Sequence, residues 1–87
     1  MNKWFVKHAG ALESAGWNSR DFRLDCKVNE EDEWITVDEV KDNEDTLTLR
    51  EFAPVEARYF RLWVDRPTQD KHDRTVRIYM FQVFRAE

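Results

Sequence analysis

Asp21-Phe22-Arg23-Leu24-Asp25-Cys26-Lys27-Val28 is the stretch on which the fold class turns. Phe22, Leu24, Cys26 and Val28 alternate with Arg23, Asp25 and Lys27, so an extended backbone carries an apolar row on one face and a charged row on the other. The rest of the chain supplies further segments of the same kind. Upstream, a strand is expected over 3–8, closed by Ala9-Gly10. Downstream, a third strand is expected over 34–40 (Trp34, Ile35, Val37, Val40). A fourth, over 45–52, sets Leu47 and Leu49 on one side and Thr46, Thr48 and Arg50 on the other, an alternation that suits a half-buried strand.

Pro54 ends that segment, and 57–66 follows with Phe60, Leu62 and Val64 on one face and Tyr59, Arg61 and Trp63 on the other. The second of these faces is amphipathic rather than simply polar. Pro67 stops this strand, 68–74 reads as a polar loop, and 75–84 reads as a final, strongly apolar strand (Val76, Ile78, Tyr79, Phe81, Val83, Phe84). Its contiguous apolar pairs suggest a bulge or burial on both faces. The expectation is an all-β, antiparallel sandwich of about six strands forming one domain over 1–87.

Length and composition agree. The chain has 87 residues, enough for one small domain, and its twelve aromatics, four of them Trp, can furnish a core. Two Gly and two Pro exclude a linker-like or collagen-like chain. A net charge of -4 argues against partners bound mainly by phosphate neutralisation, so neither nucleic acid nor an anionic membrane is an expected partner. The charge is uneven: 30–45 carries nine acids against Lys41, whereas 58–77 carries six bases against three acids. Solvated faces, or faces that attract one another or a neighbouring copy, account for such a pattern. Cys26, the only cysteine, excludes an intrachain disulfide and reads as a small buried apolar residue.

No arrangement for catalysis stands out. Cys26 sits mid-strand on the apolar face, and His8 and His72 show no metal-ligand spacing with each other or with Cys26. The acids over 30–33 lack the alternation and the Gly of a calcium loop. The longest irregular stretch, 9–20, is more informative, because a long loop in a small domain is more often functional than not. It and its borders hold His8, Glu13, Trp17, Asn18 and Arg20, a set able to hydrogen-bond sugar hydroxyls and to stack an aromatic face on a pyranose ring. A second reading stays open on composition alone: Trp17 packs back on the core while Asn18 and Arg20 cap the turn into the next strand.

Several short runs occur in order along the chain: Trp4-Phe5-Val6-Lys7-His8-Ala9-Gly10-Ala11, Trp17-Asn18-Ser19-Arg20-Asp21-Phe22, Ala57-Arg58-Tyr59-Phe60-Arg61-Leu62 and Arg77-Ile78-Tyr79-Met80-Phe81-Gln82-Val83-Phe84. With Trp34, Asn43 and Arg66-Pro67-Thr68-Gln69 between them, they resemble the discoidin, or coagulation factor V/VIII type C, domain, in the bacterial form found beside glycoside hydrolases. The resemblance implies a galactose-binding-like jelly roll that binds a terminal sugar, of galactose or N-acetylhexosamine type, through loops at one end. By position it assigns His8, Glu13, Asn18 and Arg20 to the family's polar loop and Gln69 and His72 to the loop before the last strand, with Trp17 as the available stacking aromatic. It assigns 57–62 to fold maintenance.

Two departures from the family pattern shape the expectation. Met80 stands where the family's calcium draws on an acidic residue, so no cofactor or calcium site is expected. The family domain also begins upstream of the tryptophan strand, which implies an uncovered apolar sheet surface or an unpaired edge and hence a route to self-association. The leading expectation is a noncatalytic carbohydrate-binding accessory module, with an extracellular or cell-surface setting implied by the resemblance. The alternative is a truncated structural or protein-interaction module that associates with itself.

Overall fold

The computed structural model describes residues 1–8 and 15–85, and its regular elements are six strands and one short 3-10 turn. In chain order these are β1 (Lys3–Lys7), the 3-10 turn (Ala15–Trp17), β2 (Asp21–Lys27), β3 (Ile35–Val40), β4 (Leu47–Glu51), β5 (Tyr59–Arg66) and β6 (Met80–Phe84). Two three-stranded antiparallel sheets result, one ordered β4-β1-β6 and the other β3-β2-β5. The protein is an all-β sandwich, with the two best-patterned strands, β1 and β2, at the centres of its layers.

The alternation that marked β2 puts Phe22 and Leu24 into the interior, where Trp4 and Val6 of β1 and Val40 of β3 meet them. Trp4 and Phe22 pack edge to face with ring centres 5.7 Å apart. Val37, Phe60, Leu62, Val64, Phe81 and Val83 close around this centre. Each large apolar side chain withdrawn from water there contributes about 1.5 to 3 kcal/mol. Trp4 also carries a polar N–H, and its Nε1 donates to Asp38 Oδ2 at 2.8 Å.

Asp38 faces inward because it lies opposite inward-facing Leu24, two residues before Val40 opposite Phe22, and a bulge lies next to it. The β2–β3 register shifts between Leu24 and Asp25, leaving Val37 without an opposite residue, so that Val37 also packs on the core, while Asp38 meets Trp4. Burial raises the cost of charging Asp38, but hydrogen bonds from Arg50 and Trp4 and the Arg50 charge outweigh it and hold the carboxyl below its ordinary value. Arg50 closes the group bidentately, at 2.6 Å from Nε and 3.0 Å from Nη2.

Two strands refine or correct the sequence expectation. In β4 the buried side is Thr48, while Leu47 and Leu49 are exposed, because pairing with β1 sets Thr48 beside inward-facing Val6 and both leucines beside outward-facing Phe5 and Lys7. The interior at this position needs polar partners for His8 and Asp38, and Thr48 and Arg50 supply them. The last strand is shorter than 75–84 and begins at Met80. Its contiguous apolar residues are not buried on both faces: Phe81 and Val83 point inward, whereas Val76, Tyr79 and Met80 are exposed. Leu47, Leu49 and Met80 thus lie on the outer face of the β4-β1-β6 sheet, beside half-buried Phe5 and Phe84.

Candidate functional site

At one end of the sandwich three loops, 15–20, 41–46 and 66–73, are stitched together by three carboxamides. Asn18 Nδ2 donates to the Glu44 carbonyl at 3.0 Å and to Thr46 Oγ1 at 3.3 Å. Asn43 Nδ2 donates to the carbonyls of Ser19 (2.8 Å) and Asp45 (3.1 Å). Gln69 Nε2 donates to the carbonyls of Asn43 (2.7 Å) and Asn18 (3.0 Å), while its Oε1 accepts from Arg20 Nη1 at 3.3 Å. A carboxamide offers two donors and an acceptor, so it can tie irregular strands of backbone that no ladder reaches. Asp42, at φ 56°, makes the tight turn that lets Asn43 fold back, and its carboxylate accepts from Arg20 Nη2 at 2.8 Å.

His8 lies beneath these loops with no exposure to solvent. Its backbone N–H donates to the Thr46 carbonyl at 2.8 Å, its Nε2 lies 3.1 Å from Thr48 Oγ1, and its ring packs on Phe22 with centres 4.9 Å apart. Burial pushes its pKa down to about 4, and the nearby Asp45 charge only partly opposes this, so the imidazole is neutral at physiological pH. His8 Nδ1, Ser19 Oγ and Arg20 Nε are buried without a hydrogen-bond partner among the described residues.

The sequence-expected site residues separate into two groups. Asn18, Arg20 and Gln69 are brought together, and His8 lies below them, but their polar atoms are mostly engaged in holding the loops. Trp17 and His72 are exposed. Glu13 lies outside the described residues. Arg77 places its guanidinium 4.3 Å from the Trp17 ring centre, and Trp17 borders a shallow groove of about 430 Å³ with Val76, Arg77, Ile78 and Tyr79. His72 sits on the turn that follows Gln69, its N–H donating to Asp70 Oδ1 at 2.9 Å. Asn43 was part of the family pattern, yet its clamping role depends on a turn that only the fold brings beside Ser19.

A second surface feature was half legible. On the outer face of the β3-β2-β5 sheet, Arg61 stands between Trp34 (4.5 Å) and Trp63 (4.8 Å), with Arg23 over Trp63 (5.0 Å) and Lys27 over Trp34 (4.6 Å). Asp25 lies under this ladder, 1% exposed, accepting from Arg61 Nε at 2.8 Å, Thr36 Oγ1 at 2.8 Å and Arg23 Nε at 3.2 Å. Burial opposes its charge, but these hydrogen bonds and the Arg23 charge hold the carboxyl below its ordinary value. The alternation of Tyr59, Arg61 and Trp63 was the signal, whereas the burial of Asp25 was not foreseeable from β2 alone.

Among the described residues, no group of three or more His, Cys, Asp or Glu side chains is placed to hold a metal ion. Cys26 is buried, and burial together with the Asp25 charge pushes its thiol pKa up, away from a reactive thiolate. No protein-family model, curated protein or solved structure matches the chain.

Proposed function

We propose that the protein is a noncatalytic carbohydrate-binding module that takes a terminal sugar at the three-loop end. The observation that carries this reading is Trp17, an exposed indole beside a shallow groove at an end of the sandwich whose loops are held rigid by Asn18, Asn43 and Gln69. Rigid loops reduce the entropy lost when a small ligand binds. Trp17 stacks on the apolar face of the pyranose, Arg77 and Tyr79 line the groove with it, and Asp42 and His72 are exposed polar groups of the same end available for hydroxyl recognition. His8, Asn18 and Gln69 serve as the frame that sets Trp17 and Arg20 in place.

The discoidin resemblance supports a ligand of galactose or N-acetylhexosamine type and an accessory role beside an extracellular or cell-surface glycoside hydrolase. Affinity is weak, because each solvated hydroxyl hydrogen bond returns only about 0.5 to 1.5 kcal/mol. The test is titration with galactose and N-acetylhexosamines, followed by Trp fluorescence and backbone amide shifts. Saturable shifts centred on 17–20 and 77–79 are expected, and they vanish in Trp17→Ala. A folded protein with no localised response at millimolar sugar rules the reading out.

A further inference from the structure

A second concave surface lies at the other end of β2, away from the three-loop end. It is a groove of about 720 Å³ between the β2–β3 turn and the β4–β5 connection, within the range of small-ligand sites. Its floor is apolar: Val28, Ile35, Val37 and Val55 line it, with Cys26 and the side of Trp34. Ile35 is 65% exposed and Val28 48% exposed, so water covers aliphatic surface that a ligand would shield. Its rim is acidic. Asp32, Glu33 and Glu56 line the groove, and none of them forms an ion pair among the described residues.

Lys27, the one cation in the lining, is committed elsewhere: its Nζ lies over the Trp34 ring and donates to the Glu30 carbonyl at 2.6 Å. Asp32 is spent on the turn, its Oδ2 accepting from the Asn29 N–H at 2.9 Å, so Glu33 and Glu56 are the carboxylates left around an aliphatic floor, and they set a double requirement on an occupant, an apolar body and a positive head. An apolar anion is repelled by the rim, and a hydrophilic cation recovers nothing from the floor.

We infer that this groove is a binding site for a small hydrophobic cation, an alkyl- or arylammonium group whose tail covers Val28, Ile35 and Val55 while its head pairs with Glu33 and Glu56. The site is independent of the sugar reading, because β2 separates the two ends by its full length of seven residues, about 20 Å. Ligand affinity falls as salt screens the rim, since charges at this surface interact over a Debye length of about 10 Å at 0.1 M.

The experiment uses octylammonium, below its micellar concentration, with octan-1-ol and octanoate as neutral and anionic counterparts of equal tail. Methyl resonances of Val28, Ile35 and Val55 report on the floor. Octylammonium is expected to shift them saturably and to bind at least about fivefold more tightly than octanol, with octanoate weakest. E33Q/E56Q is expected to bring octylammonium down to the octanol level, and Ile35→Ser to weaken both, with the fold checked by circular dichroism. Equal or tighter binding of octanoate overturns the inference. So does a response spread over Leu47 and Leu49, which marks general adsorption to apolar surface. A basic apolar peptide that shifts these methyls when octylammonium does not overturns it in favour of a peptide partner.

Discussion

Acidification is expected to destabilise this protein through His8 before any carboxylate is involved. The ring lies fully buried against Phe22, with Nε2 bound to Thr48 and Nδ1 without a partner among the described residues, and its pKa in the fold is about 4 against an ordinary 6.5. Below pH 6.5 the unfolded chain takes up a proton at His8 that the folded chain refuses, so stability falls as pH falls and the loss is complete only below about pH 4. At about 1.4 kcal/mol per pH unit, the loss is about 2 kcal/mol at pH 5 and about 3 kcal/mol at its limit. For a domain of this size that is a large share of total stability. Asp25 and Asp38 are held below their ordinary 3.8, so their contributions disappear in a lower window and do not confuse the measurement. The assay is urea unfolding at several pH values between 7 and 4, in which a loss of about 2 kcal/mol moves the midpoint down by roughly 1 M. His8→Gln, which keeps a partner for Thr48 and cannot titrate, should flatten the curve between about pH 4.5 and 6.5. A His8 ring resonance titrating near 6.5, or a wild-type curve no steeper there than that of His8→Gln, would refute the reasoning.

Asp25→Asn should cost about 2 to 3 kcal/mol in chemical denaturation, because charged hydrogen bonds from Arg61 and Arg23 are lost. The cost stays below that of a fully buried pair, since both guanidinium groups are partly exposed and regain water. Trp17→Ala should abolish any sugar response and cost about 1 to 2 kcal/mol of unfolding free energy, because the indole is 38% exposed and the rest of it is packed, with Arg77 over its ring. The Cys26 thiol should react with an aromatic disulfide reagent at least about tenfold more slowly than a free thiol at neutral pH and stoichiometrically in denaturant; equal rates would place it at the surface.

Where one face of a strand was clearly apolar, the sequence came close. Phe22, Leu24 and Cys26 are buried as their alternation requires, and Phe60, Leu62 and Val64 share the face packed on the core, but Val28, expected to complete the first row, lies past the end of β2 and is 48% exposed. Where polar residues carry the packing, pattern left the face open. The alternation in β4 marked a half-buried strand without saying which side is buried, and Thr48 is the residue turned inward, because its register with β1 is fixed by neighbours far along the chain. For the candidate site, the residue types at the three-loop end were legible, but their division into framing and exposed groups was not. Asn18 and Gln69 look like ligand contacts in sequence and are backbone clamps in the fold, 51 residues apart.

That the chain is all-β, and that Phe22, Leu24, Phe60, Leu62 and Val64 turn toward its core, could be read from the residues alone, since period-two alternation acts through neighbouring residues and needs no partner to be read. Which polar groups are spent on holding the fold was set by the packing of the two sheets and their loops. That outcome depends on hydrogen bonds and desolvation between residues such as His8 and Thr48, or Asp25 and Arg61, that are brought together by sheet register.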